Sequence, residues 1–349
     1  GPAHREEVFV LDDILMDDQG ALPWGEESPT HALMGRFGNV MMVNGKSDHQ
    51  MEVRQGEVVR FHLTNVANSR TFNVTFGNAA MKVVASDVSR FEREQLVTSI
   101  VIAPAERYVV DVRFDKPGEV AIANTIQAIN HFRGEFYPHV DTLSLVTVSD
   151  QNADPEVSMA FETLREHTDV VREVRPLREH FGREPDHELV TTVRVQNLHQ
   201  SIVLSMESDT LYAAPMEWND AMPMMNWLST ADEVTWILED VTTGAQNDEI
   251  DWSFQVGDIV KMRIHNKPDS FHPMNHPIHI HGQRFLVASI DGVENQNLVW
   301  KDTAILPVGS TMDVLVEMSN PGEWMMHCHI AEHLHAGMMF SFTVNDQVP

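Results

Sequence analysis

Cysteine occurs once in these 349 residues, at position 328. No internal disulfide is therefore available, and cysteine usage is silent about redox compartment. Basic residues are scarce as well: Lys+Arg number 24 against Asp+Glu 52, a formal net charge of −28. A surface of that sign repels phosphate backbones and anionic lipid, so neither nucleic acid nor a membrane surface is expected as a partner. It favours solubility and mildly attracts cations, although a simply acidic surface would have the same composition. No apolar run approaches the roughly 18 residues that a membrane span needs, and no secretory-signal pattern is read at the start. What is present, 42% hydrophobic and 22% charged residues, describes a globular chain long enough for two or three domains with real cores.

The single cysteine has a histidine on each side, in the stretch HCHIAEHLHAGM from His327 to Met338. Cys328, His333 and Met338 offer a soft thiolate, an imidazole and a thioether. Two histidines, one cysteine and a weak axial methionine are the ligand set of a blue-copper electron-transfer centre. The second histidine is available upstream in HPIHIHG, His276 to Gly282.

The spacing has a mechanical reason. Alternate side chains of a strand face opposite sides, so Cys328 points one way while His327 and His329 point the other. His279 and His281 likewise share a face. One thiolate can then bind a copper on one side while its neighbours serve other metal ions behind it. A lone cysteine is more often a small buried hydrophobe, and a nucleophilic Cys–His pair is a further reading. Neither explains histidines at 276, 279, 281, 327, 329 and 333 together with Met338.

From Glu6 to Asp150 the chain reads as β-rich: VFVLDDILM, VVRFHLTNV, SIVIAPA, RYVVDVRF and LSLVTVSD are short alternating or β-branched runs broken by Gly, Pro and Asn. Residues 151–187 are charged and punctuated by Pro176 and Pro185. They read as a linker wrapping the surface, with one helical turn at MAFETLREH. Strands resume at 188 and continue to 349. The expected fold is all-β, two sandwich domains (6–150 and 188–349) joined by that linker.

The chain also repeats itself. GEVVRFHLTN (Gly56–Asn65) matches GDIVKMRIHN (Gly257–Asn266), and KPGEVAIANT matches NPGEWMMHCH. The second match puts Asn124 where Cys328 stands. Aligning Gly77 with Gly282 puts Val74 and Phe76 opposite His279 and His281. The first domain is thus a copper-free copy, expected to space and support its neighbours.

With these residues in view the chain resembles the multicopper oxidases, the family of laccases and cuprous oxidases. HPIHIHG and HCHIAEHLHAGM resemble that family's third and fourth copper-binding motifs. The resemblance implies two cupredoxin-like Greek-key sandwiches. It implies type 1 ligation by His276, Cys328, His333 and axial Met338, type 2 ligation by His279, and type 3 ligation by His281, His327 and His329. Copper is the implied cofactor and O2 the co-substrate, with Cys328, His327 and His329 as the electron path. It also implies a periplasmic or secreted location.

The chain resembles the family's second and third domains. No His-x-His motif precedes residue 276, so half of the oxygen-reducing cluster is expected from a missing first cupredoxin domain or another chain. An apolar face left by that domain is expected to promote self-association. One departure concerns the position after the type 1 histidine, where many bacterial members carry Glu and this chain has Leu334, flanked by His333 and His335 and preceded by Glu332. Met216, Met222, Met224 and Met225 cluster in APMEWNDAMPMMNW, and Met274 lies two residues before His276. Thioethers suit a Cu(I) substrate; the 216–225 methionines read rather as fillers of irregular apolar gaps, whereas Met274 beside His276 resembles the cuprous-oxidase arrangement.

The leading expectation is a laccase-type oxidoreductase accepting electrons from a phenolic, other small-molecule or Cu(I) reductant. The alternative is a blue-copper electron carrier without oxygen chemistry. Copper nitrite reductase is disfavoured, because its cysteine motif lacks the second flanking histidine, here His329.

Overall fold

The computed structural model describes residues 2–21, 30–130, 135–200, 202–203, 216–218 and 229–346. Alternating burial, as in the EVVRFHLTN strand with its outward Arg60, His62 and Thr64, lets each sheet bury one face against a partner. In the first sandwich one sheet runs, in order, Val40–Val43, Arg5–Ile14, Glu57–Asn65, Arg107–Phe114, Ala80–Ser86 and Ser89–Val97. The facing sheet runs Ile100–Ile102, Phe72–Thr75, Gly118–Asn130, Glu135–Asn152 and Gln50–Gln55. Phe9, Phe61, Phe76 and Phe114 fill the space between them, in tilted and edge-on contacts. Each such ring removed from water is worth about 1.5–3 kcal/mol.

The second sandwich repeats the order strand for strand. One sheet runs Val234–Asp240, His187–Val195, Ile259–Asn266, Thr311–Glu317, Arg284–Ile290 and Val293–Glu294, against a sheet of Trp252–Gln255, Met339–Asn345, Gly322–Cys328, His276–Ile280 and Thr303–Leu306. Side-chain bonds repeat as well. Arg60 forks onto Asp111 at 2.8 and 3.0 Å, and Arg263 onto Asp313 at the same two distances. Asn65 Nδ2 donates to the Ile102 carbonyl, and Asn266 Nδ2 to that of Leu306.

Strand register corrects one equivalence. Ile278 lies opposite Cys328 and His279 opposite His327, whereas Val74 lies opposite Asn124 and Thr75 opposite Ala123. With Asn124 in the place of Cys328, Thr75 rather than Val74 stands where His279 stands. The glycine match misled because Gly77 follows Thr75 by two residues while Gly282 follows His279 by three. Backbone pairing fixes register, whereas turn length is free to vary.

The segment 151–187 is more helical than its sequence suggests. It carries the expected turn at Ser158–Glu162, then a helix at Thr168–Val174 and a 3-10 turn at Arg175–His180, with Pro176 in the first turn, where its missing N–H costs nothing. Val170 and Val174 pack on Leu286, Leu298, Trp300 and Leu315 of the second sandwich. The sandwiches also meet directly. Ala32, Leu33, Met34 and Phe37, from a loop of the first, belong to the core of the second.

Candidate metal centre

Four strand and loop segments converge around the lone cysteine. Cys328 ends the Gly322–Cys328 strand, and His276 begins the neighbouring strand, His276–Ile280. His333 comes from the single-turn helix Ala331–His335, and Met338 follows Gly337, whose φ of +107° turns the chain back. That turn is fixed by backbone bonds: Met338 N–H donates to the His333 carbonyl at 2.9 Å, and Cys328 N–H to the Met338 carbonyl at 3.1 Å.

Cys328 Sγ lies 3.6 Å from His276 Nδ1 and 3.7 Å from His333 Nδ1. A first-row metal bonded to sulfur and nitrogen at about 2.0–2.3 Å, at angles near 120°, separates the two donors by about 3.6–3.8 Å. Each imidazole therefore stands from the sulfur at the separation such an ion would set, and all three donor atoms lie within 4.8 Å of one another. Cys328, His333 and Met338 are 0% exposed and His276 is 1% exposed. Trp236 closes the site, its ring 4.1 Å from that of His333 and 4.9 Å from that of His276, with its Nε1–H donating to the Ala32 carbonyl at 2.7 Å.

Burial sets the protonation states. It pushes His276 down to about 3 and His333 well below its ordinary value, so both imidazoles are neutral and keep a lone pair. The same burial pushes the Cys328 thiol far up, so a metal must displace its proton.

On the other face, His279, His281 and His327 form a second group of donor atoms within 4.8 Å of one another. His281 Nε2 and His327 Nε2 face each other at 2.9 Å, and the His329 ring lies 5.5 Å from that of His327 and 5.6 Å from that of His279. His327 Nδ1 donates to the Cys328 carbonyl and His279 Nδ1 to the Asp302 carbonyl, each at 2.8 Å. A carbonyl only accepts, so in both rings the proton sits on Nδ1 and Nε2 keeps its lone pair. Burial pushes both rings down to about 4, leaving them neutral.

The structure thus brings His276, Cys328, His333 and Met338 to one face, and His279, His281, His327 and His329 to the other. Met274 is 3% exposed and lies in the same apolar core as Cys328 and Met338, its carbonyl accepting from Asn266 Nδ2. Met222, Met224 and Met225 fall outside the described residues, while Met216–Trp218 forms a strand pairing with Gln127–Ile129.

Two neighbours of the site were not anticipated from the sequence, and a third, Glu332, gains a partner that the sequence does not show. The loop at 31–37 reaches it from the first sandwich. Thr303 Oγ1 lies 2.9 Å from His279 Nδ1. Glu332 is fully buried and accepts from Asn68 Nδ2 of the first sandwich at 2.5 and 2.6 Å; burial pushes its carboxyl up to about 7, against the Asn68 bond and the nearby Arg36 charge.

Two family models, both described as multicopper oxidase, match residues 11–142 and 217–348. The chain belongs to the multicopper oxidases. Copper is this family's cofactor and O2 its oxidant. Among curated relatives of this multicopper oxidase, Laccase-1 of Melanocarpus albomyces is 22% identical over 341 residues, covering 88% of this chain and 49% of that protein. The multicopper oxidase mco of Staphylococcus aureus is 21% identical over 308 residues, 87% of this chain and 52% of its own length. Among solved structures, a multicopper oxidase from Campylobacter jejuni described as a metallo-oxidase superposes with a TM-score of 0.70 at 18% identity, over 98% of this chain and 64% of that one. The chain thus spans about half the length of the curated relatives it matches.

Gly282 closes the HPIHIHG motif for a steric reason. Its φ is +67°, and a Cβ there would lie 2.2–2.3 Å from the Trp324 indole. Gly282→Ala should therefore lower unfolding free energy by about 2–4 kcal/mol, from left-handed strain and displacement of Trp324. Denaturant unfolding of the metal-free chain measures this, and wild-type stability in the variant would refute the packing argument.

Proposed function

We propose that this chain carries the type 1 copper site and half of the oxygen-reducing cluster of a laccase-like oxidase. His276, Cys328 and His333 would hold the type 1 copper, with the Met338 thioether as a further soft donor. His279 would serve the type 2 position, and His281, His327 and His329 the type 3 positions. When bound, copper supplies one-electron redox chemistry at the thiolate site and reduction of dioxygen to water at the histidine cluster.

The observation that carries this reading is the pair of donor sets back to back on one strand. Cys328 Sγ lies within 3.7 Å of two buried imidazoles on one face, and its covalent neighbours His327 and His329 join the histidine group on the other. The shortest path between the two sets is the peptide chain itself. Cys328 to His327 and His329 is therefore the electron path. Trp236 and the apolar core exclude water from the thiolate, and the Nδ1 hydrogen bonds of His279 and His327 keep their metal-binding lone pairs aimed at the cluster.

The reductant is a phenol, another small molecule or a metal ion. Burial of Met274 in the core supports a packing role there, and any thioether site for Cu(I) falls to the 216–225 segment. A second reading, a blue-copper electron carrier, is favoured if the chain works alone, because the four clustered imidazoles form a single wall. The opposite wall would come from a further cupredoxin domain outside this sequence or from another chain.

Two outcomes follow. Cys328→Ser should abolish the visible charge-transfer band of the copper-loaded chain, since a hydroxyl does not replace the thiolate; an unchanged spectrum would overturn the type 1 assignment. An oxygen electrode trace on the copper-loaded chain with a reductant should show no sustained uptake. Robust turnover to water would mean that copies of this chain complete the cluster themselves.

A further inference from the structure

None of the donors around Cys328 reaches solvent: Cys328, His333 and Met338 are 0% exposed and His276 1%. Part of their cover comes from the other sandwich. Ala32, Leu33, Met34 and Phe37 are all buried, in the same apolar core as Cys328 and Met338. Trp236, stacked on the His333 ring, donates its Nε1–H to the Ala32 carbonyl at 2.7 Å. The Leu33 carbonyl stands against the His333 ring itself. Ala32 N–H donates to the Ser229 carbonyl at 3.0 Å, tying the loop to the second sandwich by its main chain as well.

From behind, the first sandwich holds this loop as a stiff piece. Arg36 N–H donates to Ser69 Oγ at 2.8 Å, and the buried Arg70 pairs with the buried Asp13 at 2.7 Å while lying over the Phe37 ring. Gly35, at φ +80°, permits the close approach: a Cβ there would meet Ser69 Oγ at 2.5 Å and Ile330 at 3.0 Å. The next residue along, Asn68, grips Glu332, the neighbour of His333. Loop 31–37 is thus wedged between its own sandwich and the turn that carries a copper-binding ring.

A site that touches its electron donor must leave an imidazole uncovered. Here the rings lie under main chain and apolar side chains of another sandwich. Electrons still cross such a cover, because transfer between redox centres needs a short distance and not contact. A bulky donor that must lie against the ring does not.

We propose that residues 31–37 are a plug that selects the electron donor, with Leu33 and Met34 as the residues that set the selection. The plug excludes reductants that must lie against a copper-binding ring, phenols among them, and favours one-electron donors that act from its outer surface. Each such transfer takes one electron from the donor, turns type 1 Cu(II) into Cu(I) and moves no proton. A phenol also has an O–H proton to lose, which needs an acceptor within hydrogen-bond reach. This deepens the reading of His276, Cys328 and His333 as type 1 ligands and rests on it.

Docking of the two sandwiches does not hang on the plug alone, since Arg107 holds Asp302 at 2.6 and 2.7 Å and Lys301 pairs with Asp87 at 2.8 Å. Leu33→Ala/Met34→Ala therefore loosens the loop in an otherwise docked chain. Bleaching of the visible band of the copper-loaded chain is followed without oxygen, with a substituted phenol and with hexaammineruthenium(II). The phenol should bleach the double variant at least about tenfold faster than the wild type, the scale on which losing two buried side chains raises local opening. The ruthenium rate should rise by a clearly smaller factor. A phenol rate that does not rise, or rises no more than the ruthenium rate, would overturn the proposal. In the metal-free chain Cys328, the only cysteine, reports the same opening. Iodoacetamide should label it at least about tenfold faster in the double variant, and no faster than wild type in Phe61→Leu, which weakens the first sandwich's own core away from the loop. Equal labelling in the two variants would overturn the plug. If the double variant does not fold, Leu33→Ala alone is read the same way. Plug-dependent labelling with no visible band on copper addition would uphold the plug and count against the type 1 reading instead.

Discussion

Everything in this molecule hangs on the pleat of one strand. Because successive side chains face opposite ways, Cys328 enters a dry pocket with His276 and His333 while His327 and His329 face a second group of imidazoles. No loop could hold the two sets so close with a fixed covalent path between them. The surrounding sandwich exists to keep that strand flat, paired and buried. It is hydrogen-bonded on both sides, to His276–Ile280 and to Met339–Asn345.

Burial then does the electrostatic part. A metal site needs lone pairs, and imidazoles removed from water stay neutral without any partner to hold them so. The same desolvation keeps the thiol protonated until an ion takes its place. The polar anchors lie one step outward, where Asp302, the Cys328 carbonyl and Thr303 orient rings that the apolar core only surrounds.

The two motifs were legible because their chemistry is local: donor residues one to eleven positions apart within each motif, on a strand or the turn that follows it, specify much of their own geometry. The all-β class and the internal repeat were legible for the same reason, since alternation and turn residues are short-range signals. What escaped was the interface. Arg107 and Asp302 are 195 residues apart, and nothing in either neighbourhood marks them as a pair. The loop at 31–37 carries Ala32, Leu33 and Met34 into the other sandwich's core, a destination that nothing local to it specifies. The linker's second helix was hidden by Pro176, which in fact begins the 3-10 turn after the helix rather than breaking it. The misplaced equivalence of Val74 came from trusting a glycine in a turn, where insertions are cheap, over strand register, where they are not.

The two sandwiches are therefore one fold put to two uses, a ligand-bearing copy and a copy that supplies the grip. We propose that this chain holds one complete copper site and one half-built one. Copper titration of the metal-free chain, with visible absorption followed against bound metal, tests it most directly. The account predicts that the visible band saturates at about one tightly held copper per chain. Tight binding of about four coppers by the isolated chain, or one copper bound with no visible band, would contradict it.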